Sequence, residues 1–406
     1  MQLVILVVLL ENELCRIFRL NSGLLKIAVF AIICISTLLV CCSSNRNKCM
    51  KCSESYLLKY LTIVIIFLSV QLFYTLLCYS RQSISGFLQV AQSYLWILLV
   101  VPISYVCGSK IGIQKFLDIL KYVVVISLFL MLINAIYYNT TGYELLNVAS
   151  YKTFIYRAGR LRLWDLSSLE ALVAIWCFYE ILITRHARKR NIVLLIILFA
   201  TMFYVEQTRM MYMGLFAVMS VMYLLKKATT RKAIYFKGIL VLMMFVITIG
   251  TGIIEAILDS FAIEGQYGSS TSIRIDEIQY AFDIILQHPI NGMGLMPTTI
   301  RDLYINYTGR GKFGYTDIGI IGLYAQVGIW SVFLYILPMI RFGTAIWRLR
   351  NRENVHFIFI AGLYIFLLLS SGTLLVLNQP RILMWPFCIG IFEYCTYCGR
   401  NNIVAR

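Results

Sequence analysis

Glu206 and Arg209 stand three residues apart in Val205-Glu206-Gln207-Thr208-Arg209, a carboxylate and a guanidinium at the tip joining two short apolar runs. From Ile192 to Glu206 a helix rises only about 22 Å, short of the ~30 Å hydrocarbon core of a bilayer. The tip is therefore expected to sink below the membrane surface. Ionisable groups there are costly unless they face a partner or a wet cavity. Two readings follow: the pair seals a tight hairpin, or the guanidinium lines a cavity and holds an anion. Arg274 poses the same choice. A helix is expected over Ile273–Gln287, with Ser269-Ser270-Thr271-Ser272 as N-caps and Pro289 as its stop. Ile275, Ile278, Ala281, Phe282, Ile285 and Leu286 fall on one face, and Asp276, Gln279, Asp283 and Gln287 on the other. Arg274 lies in the apolar sector, where it meets an anion or carbonyls, or snorkels from the helix end.

A third cationic group is Tyr156-Arg157-Ala158-Gly159-Arg160-Leu161-Arg162, with no acid until Asp165. Alone it reads as a solvated charge run. Beside Arg209 and Arg274, its simplest common purpose is an anion such as a phosphate, which the paired donors of Arg suit better than Lys. Three groups are candidates to orient or deprotonate a hydroxyl: Asp317 in Gly314-Tyr315-Thr316-Asp317-Ile318-Gly319, Glu206, and His288 in His288-Pro289-Ile290-Asn291-Gly292-Met293-Gly294. Asp317 also fits a helix-start carboxylate favoured by the macrodipole. The glycine pair makes no dinucleotide fingerprint, lacking a preceding strand and a third glycine. His186 and His356 lie far from His288 in the chain, so no histidine metal cluster is expected. Cys49/Cys52 and Cys395/Cys398 could hold zinc, but twelve cysteines make such pairs by coincidence. Asn139-Thr140-Thr141 and Asn306-Tyr307-Thr308 match a glycosylation pattern short enough to arise by chance.

The elements that must position these groups follow from composition. Of 406 residues 60% are apolar and 14% charged, and mean hydropathy is +0.80. Soluble domains run near half apolar and a quarter charged, so a water-soluble protein is excluded. The expected fold is all-α, a polytopic integral membrane helical bundle over 1–406. Spans are read at roughly 24–43, 57–78, 88–106, 119–138, 167–184, 192–207, 209–225, 238–257, 318–340, 356–377 and 381–398, with Met1–Leu10 a weaker first one, about twelve in all. Between them run two long loops, 139–166 and 259–316, the second with the amphipathic helix near 273–287. The six segments assigned to the inner side hold 22 of the 36 Lys and Arg residues and five of the 19 acids, so the whole net charge of +17 falls there. By the positive-inside rule these segments and both termini are cytoplasmic and the long loops extracytoplasmic. That charge serves orientation and contact with anionic lipid rather than nucleic acid. Most cysteines lie in or beside apolar runs, which argues against a secreted disulfide scaffold. Met1–Leu10 lacks the basic start and cleavage site of a signal peptide.

Several of these residues resemble a known family. Arg157-Ala158-Gly159, Thr208-Arg209, Arg274, Ala281-Phe282, His288 to Leu295, Asp317-Ile318-Gly319 and Ala325-Gln326-Val327-Gly328 are similar, in order, to motifs of the bacterial O-antigen polymerase and O-antigen ligase superfamily (Wzy-like and WaaL-like proteins). The resemblance covers about residues 150–335 and the general plan of spans. It implies a glycosyltransferase of the bacterial inner membrane acting on polyprenyl-diphosphate-linked glycans at the outer face. Residues matching Arg209 and Arg274 are expected to hold the diphosphate, with Arg157 and Arg160 as further donors. Ligases carry a His-Asn pair where this chain reads Tyr315-Thr316-Asp317, which favours the polymerase branch. The family's Pro-Asn is replaced here by Trp164-Asp165-Leu166-Ser167.

The expected function is thus a metal-independent polymerase of surface polysaccharide, with no cofactor. Its partners are the lipid-linked oligosaccharide, membrane lipids, a chain-length regulator and a flippase. Rival readings are a flippase or exporter of lipid-linked units, a ligase-type transferase, and a transferase using Glu11 and Glu13 in the first outer loop. Transporters favour midplane ionisable groups and internal repeats; here the polar groups gather at one boundary and no repeat is evident.

Overall fold

A computed structural model describes residues 1–11, 22–42, 48–78, 84–109, 112–143, 145, 155–157, 160–162, 169–183, 188–206, 209–226, 268–296, 305, 314–350, 356–378 and 381–400. The apolar runs fold as helices, which satisfy every backbone polar group internally, the condition for crossing lipid. In chain order they are α1 (Gln2–Glu11), α2 (Ser22–Cys42), α3 (Lys48–Cys78), α4 (Ile84–Leu95), α5 (Val100–Gly108), α6 (Gly112–Thr141), α7 (Leu169–Ile183), α8 (Arg188–Thr201), α9 (Arg209–Leu225), α10 (Gly268–Gln287), α11 (Gly319–Val327), α12 (Leu337–Arg350), α13 (Phe357–Ser370) and α14 (Met384–Arg400). A 3₁₀ turn (Trp96–Leu99) joins α4 to α5, and π-turns extend α8 through Met202–Glu206 and lead into α12 through Val332–Ile336. Among the described residues the strands are β1 (Ile155–Arg157) and β2 (Arg160–Arg162), a small antiparallel hairpin.

Among the described residues four segments are long and apolar enough to cross a membrane: Tyr56–Cys78, Ile84–Gly108, Gly112–Thr141 and Val332–Arg350. The protein is a helical membrane protein. Others are shorter. α7, α9, α13 and α14 hold 15, 17, 14 and 17 residues, which at 1.5 Å per residue gives rises of about 21–26 Å. The basic ends of α7, α9 and α13 are level, because Lys226 after α9 donates to the Leu182 carbonyl of α7 and the Tyr179 hydroxyl of α7 meets His356 Nδ1 before α13 at 3.4 Å.

The basic end is locked by charges that the sequence reading assigned only to the inner side. Lys121 of α6 is fully buried, and its ammonium donates to Asp118 at 2.8 Å, to Glu180 of α7 at 2.5 Å and to Asn191 of α8 at 3.3 Å. Asn191 Nδ2 donates to Glu180 at 2.9 Å and Trp176 Nε1 to Asp118 at 3.2 Å. Arg341 of α12 makes a two-pronged pair with Glu393 of α14, at 2.5 and 2.8 Å, while its guanidinium lies over the Tyr56 ring. These groups were counted as loop charges because a helix boundary is invisible to a charge tally; burial in a shared network is what keeps them.

The expected span 318–340 is two helices. α11 ends after nine residues and Gly328, at φ +62°, turns the chain before the π-turn. The break is docked in protein, not lipid: Met293 and Gly294 N–H donate to the Ala325 and Gln326 carbonyls at 2.8 and 2.9 Å, and Ile329 N–H donates to the Pro289 carbonyl at 3.1 Å. Non-helical backbone survives near lipid only when covered in this way. Span 356–377 likewise stops at Ser370, with turns to Asn378. α6 runs to Thr141, so Asn139 of the glycosylation pattern is helical, with its amide donating to the Tyr204 hydroxyl at 3.4 Å. Span 238–257 and Asn306 lie outside the described residues.

Candidate functional site

The short helices end around a pair of opposite charges. Asp317 closes a 3₁₀ turn, its N–H donating to the Gly314 carbonyl at 2.9 Å. Arg381 stands just before α14 in a turn held by its own N–H on the Asn378 carbonyl at 2.7 Å. Its Nη1 donates to the Thr316 carbonyl at 3.2 Å, and its Nη2 lies 3.5 Å from Asp317 Oδ1. The Arg381 side chain is only 18% exposed, whereas that of Asp317 is 47% exposed. Arg274 and Glu170 are both close enough to act on the Arg381 charge. Two guanidinium groups and two carboxylates thus share one neighbourhood.

Three elements bring them there. α10 is fixed to the turn by Glu277, whose Oε1 accepts from the Gly314 N–H at 2.8 Å. Arg274 precedes Glu277 by three residues and so lies on the same face. That face packs through Ala281 and Ile284 against Met293, Met296, Tyr315, Ile318 and Ala325. The expected apolar face was displaced by part of a turn: Ile275, Phe282 and Leu286 are exposed, while Arg274, Ile278 and Ile285 are half-buried beside Ala281. The helix also begins at Gly268, so Ser269–Ser272 lie inside its first turns instead of capping it. Below the turn Tyr315 is buried, which pushes its hydroxyl up to about 12, and Gln326 bonds it. Gln326 Oε1 in turn accepts from the Tyr94 hydroxyl at 3.1 Å. The N-terminus of α11 is satisfied by the turn after α13, with Gly319 and Ile320 N–H donating to the Thr373 and Ser371 carbonyls at 3.2 and 2.9 Å. Gly319 has φ +61°, and a Cβ there would strike the backbone of Ser371 and Gly372.

The other sequence candidates fall in different places. Glu206 ends the π-turn of α8 and is buried, beside α6, α9 and β2. Arg209 opens α9 across Gln207-Thr208, as the sequence reading has it, and its side chain lies outside the description. Arg157 and Arg160 face each other in the hairpin register, and β2 rests on α6 and the Glu206 turn. The backbone of the hairpin thereby lies against the turn that ends at Glu206. His288 is exposed at the far end of α10, about 20 Å along the helix from Arg274. The structure does not bring it to the Arg381–Asp317 pair. Its segment instead docks the break: the Asn291 and Gly292 carbonyls accept from Gln71 and Tyr74 of α3, each at 3.1 Å.

Arg381 and Glu170 are the site residues missing from the sequence-derived set. Arg381 heads an apolar run, and nothing local in the sequence ties it to Asp317. Glu170 offered one signal, a carboxylate near the start of an otherwise apolar helix, Leu169-Glu170-Ala171. Cys395 is buried in α14, and among the described residues no three His, Cys, Asp or Glu side chains cluster to hold a metal.

Residues 194–336, 143 of the 406, match the model of a family described as O-antigen ligase. The matched stretch takes in Glu206, Arg209, Arg274, His288 and Asp317 and ends before Arg381. No curated protein matches the chain. With the ordered motifs and the broken late helix, this match supports kinship of residues 194–336 with the O-antigen ligase and polymerase superfamily, and it does not separate the two branches.

Proposed function

We propose that this protein joins surface-polysaccharide units at the outer face of the bacterial inner membrane, moving a growing glycan from polyprenyl diphosphate to a hydroxyl of the next lipid-linked repeat. The family supports a part in surface-polysaccharide synthesis in general. One observation carries the finer reading: Arg381 pairs with a half-exposed Asp317, and Arg274 lies near enough to act on the Arg381 charge. In the reaction the bond between the anomeric carbon and the diphosphate oxygen breaks, and a bond from the acceptor oxygen to that carbon forms. The acceptor proton passes to a base, and the electron pair stays on the departing diphosphate. Fixed guanidinium groups stabilise that charge as it grows, more than they stabilise the bound substrate. Asp317 is the carboxylate best placed to orient or deprotonate the hydroxyl, being beside the cations and open to solvent. Glu206 is buried and serves the neighbouring tip, where Arg209 with Arg157 and Arg160 offers a second anionic subsite for the other lipid-linked substrate. The two loops 139–166 and 259–316 would then lie outside the membrane with both termini inside, and a chain-length regulator and a flippase would act beside the enzyme.

The absence of the ligase His-Asn pair before α11 is what favours a polymerase. Sizing lipid-linked glycans in a deletion strain and in complemented cells tests this. Single repeat units on the outer leaflet in the deletion strain, and long chains after complementation, are expected. Undiminished chains on the lipid carrier, with none reaching the outer acceptor, would point to a ligase instead.

A further inference from the structure

Between the outer halves of α9 and α13 lies a cavity of about 190 Å³, lined mainly by Met210, Met211, Met213, Phe366, Leu369 and Leu374. We propose that it seats the first part of the isoprenoid tail of the lipid carrier, an inference that rests on the lipid-linked substrate proposed above. Three observations support this occupant. The first is continuity with the charges: the rim residues Ser370 and Thr373 belong to the turn whose carbonyls cap α11, two residues after Asp317, and Met210 follows Arg209 directly. A diphosphate held at the rim would point its tail into the cavity. The second is the side opening, where Ala217 is exposed and Leu369 is 46% exposed, so a long chain can run on into the bilayer. The third is Gly214 in mid-α9. A Cβ there would meet nothing within 4 Å, whereas one at Gly362, where the same two helices touch, would lie 2.5 Å from Met222 sulfur. Gly362 is required by packing and Gly214 is not, yet a glycine inside a helix costs about 0.5–1 kcal/mol relative to Ala. What Gly214 supplies is room. Apolar cavities of ~150 Å³ stay dry and take a benzene-sized group, so this one holds roughly one isoprene unit. Methionine walls adapt to an irregular, branched chain.

The test uses the full-length protein in nanodiscs and a polyprenyl diphosphate carrying a diazirine on its first isoprene units. Photolabel is expected on peptides of α9 and α13. Gly214→Leu and Ala217→Phe, which fill the cavity from one wall, should each cut that labelling at least about tenfold, while Gly214→Ala keeps most of it and all three hold their melting temperature. If either filling variant fails to fold, the other decides. Label elsewhere on the protein, label unchanged by filling, or label displaced equally by phosphatidylglycerol would each overturn the proposal. Glycan sizing in Arg381→Ala separates the two readings: normal chains there with cavity-dependent labelling would remove the transferase and leave the lipid seat, and short chains with cavity-independent labelling would do the reverse.

Discussion

A guanidinium carries five N–H donors in a fixed fork, and Arg381 directs two of its nitrogens at Thr316 and Asp317, leaving the rest of the fork for a ligand. A single ammonium cannot reproduce that geometry. Arg381→Ala should lower the rate of glycan joining by about 10²-fold, the scale seen when one charge-stabilising donor is removed from an active site. Arg381→Lys should recover only part of it, and Asp317→Asn should slow transfer while lipid-carrier binding persists. A transfer assay with binding measured separately checks all three. At the basic end, His356 is held below its ordinary 6.5 by burial. Its native site disfavours the charged ring, so the unfolded state binds more protons as pH falls past 6.5, and stability drops with it. Melting followed from pH 7.5 to 5.5 should show this loss, and His356→Gln should flatten it. None of these couplings was legible locally. Arg381 and Asp317 are separated by α11, α12 and α13, and only the close packing of two turns makes them neighbours.

At the scale of elements, the sequence was most readable where one physical condition dominates. Long apolar runs must be helices in lipid, and α3, the α4–α5 span and α6 stand within a few residues of where hydropathy puts their apolar parts. It was least readable where a helix is broken. Residues 318–340 are apolar on both sides of Gly328, so hydropathy joins what the backbone separates. The glycines that make the break are decided by contact: Gly292 at φ +61° would place a Cβ 2.6 Å from the Ala325 carbonyl oxygen. Gly292→Ala and Gly319→Ala are therefore expected to destabilise the protein by about 1–3 kcal/mol each, through left-handed backbone and collision together. Both should also reduce glycan joining, since the Asp317 turn hangs on this docking. Thermal denaturation with activity at permissive temperature checks the pair. α10 shows a milder failure. Its period was right, but exposed Ile275, Phe282 and Leu286 carried the sequence-derived face away from the true seam at Ala281 and Ile284. Periodicity ranks residues by polarity and cannot tell protein from a second apolar neighbour.

Across the whole molecule, the basic end of the bundle is locked by buried ion pairs. The lock depends on Lys121, and truncating it leaves Glu180 buried with its charge uncompensated. Lys121→Met is expected to cost about 3–5 kcal/mol, as broken buried pairs do, and Lys121→Met with Glu180→Gln should recover much of it. Chemical denaturation in detergent reads both. The sequence alone determined the solvent of this protein and its helical class, because hydropathy sums over residues irrespective of partners. Which arginine meets which carboxylate, where a span breaks and which charges are buried were decided only by the tertiary structure. Those properties depend on distances between residues as much as two hundred or more positions apart, such as Tyr94 and Gln326.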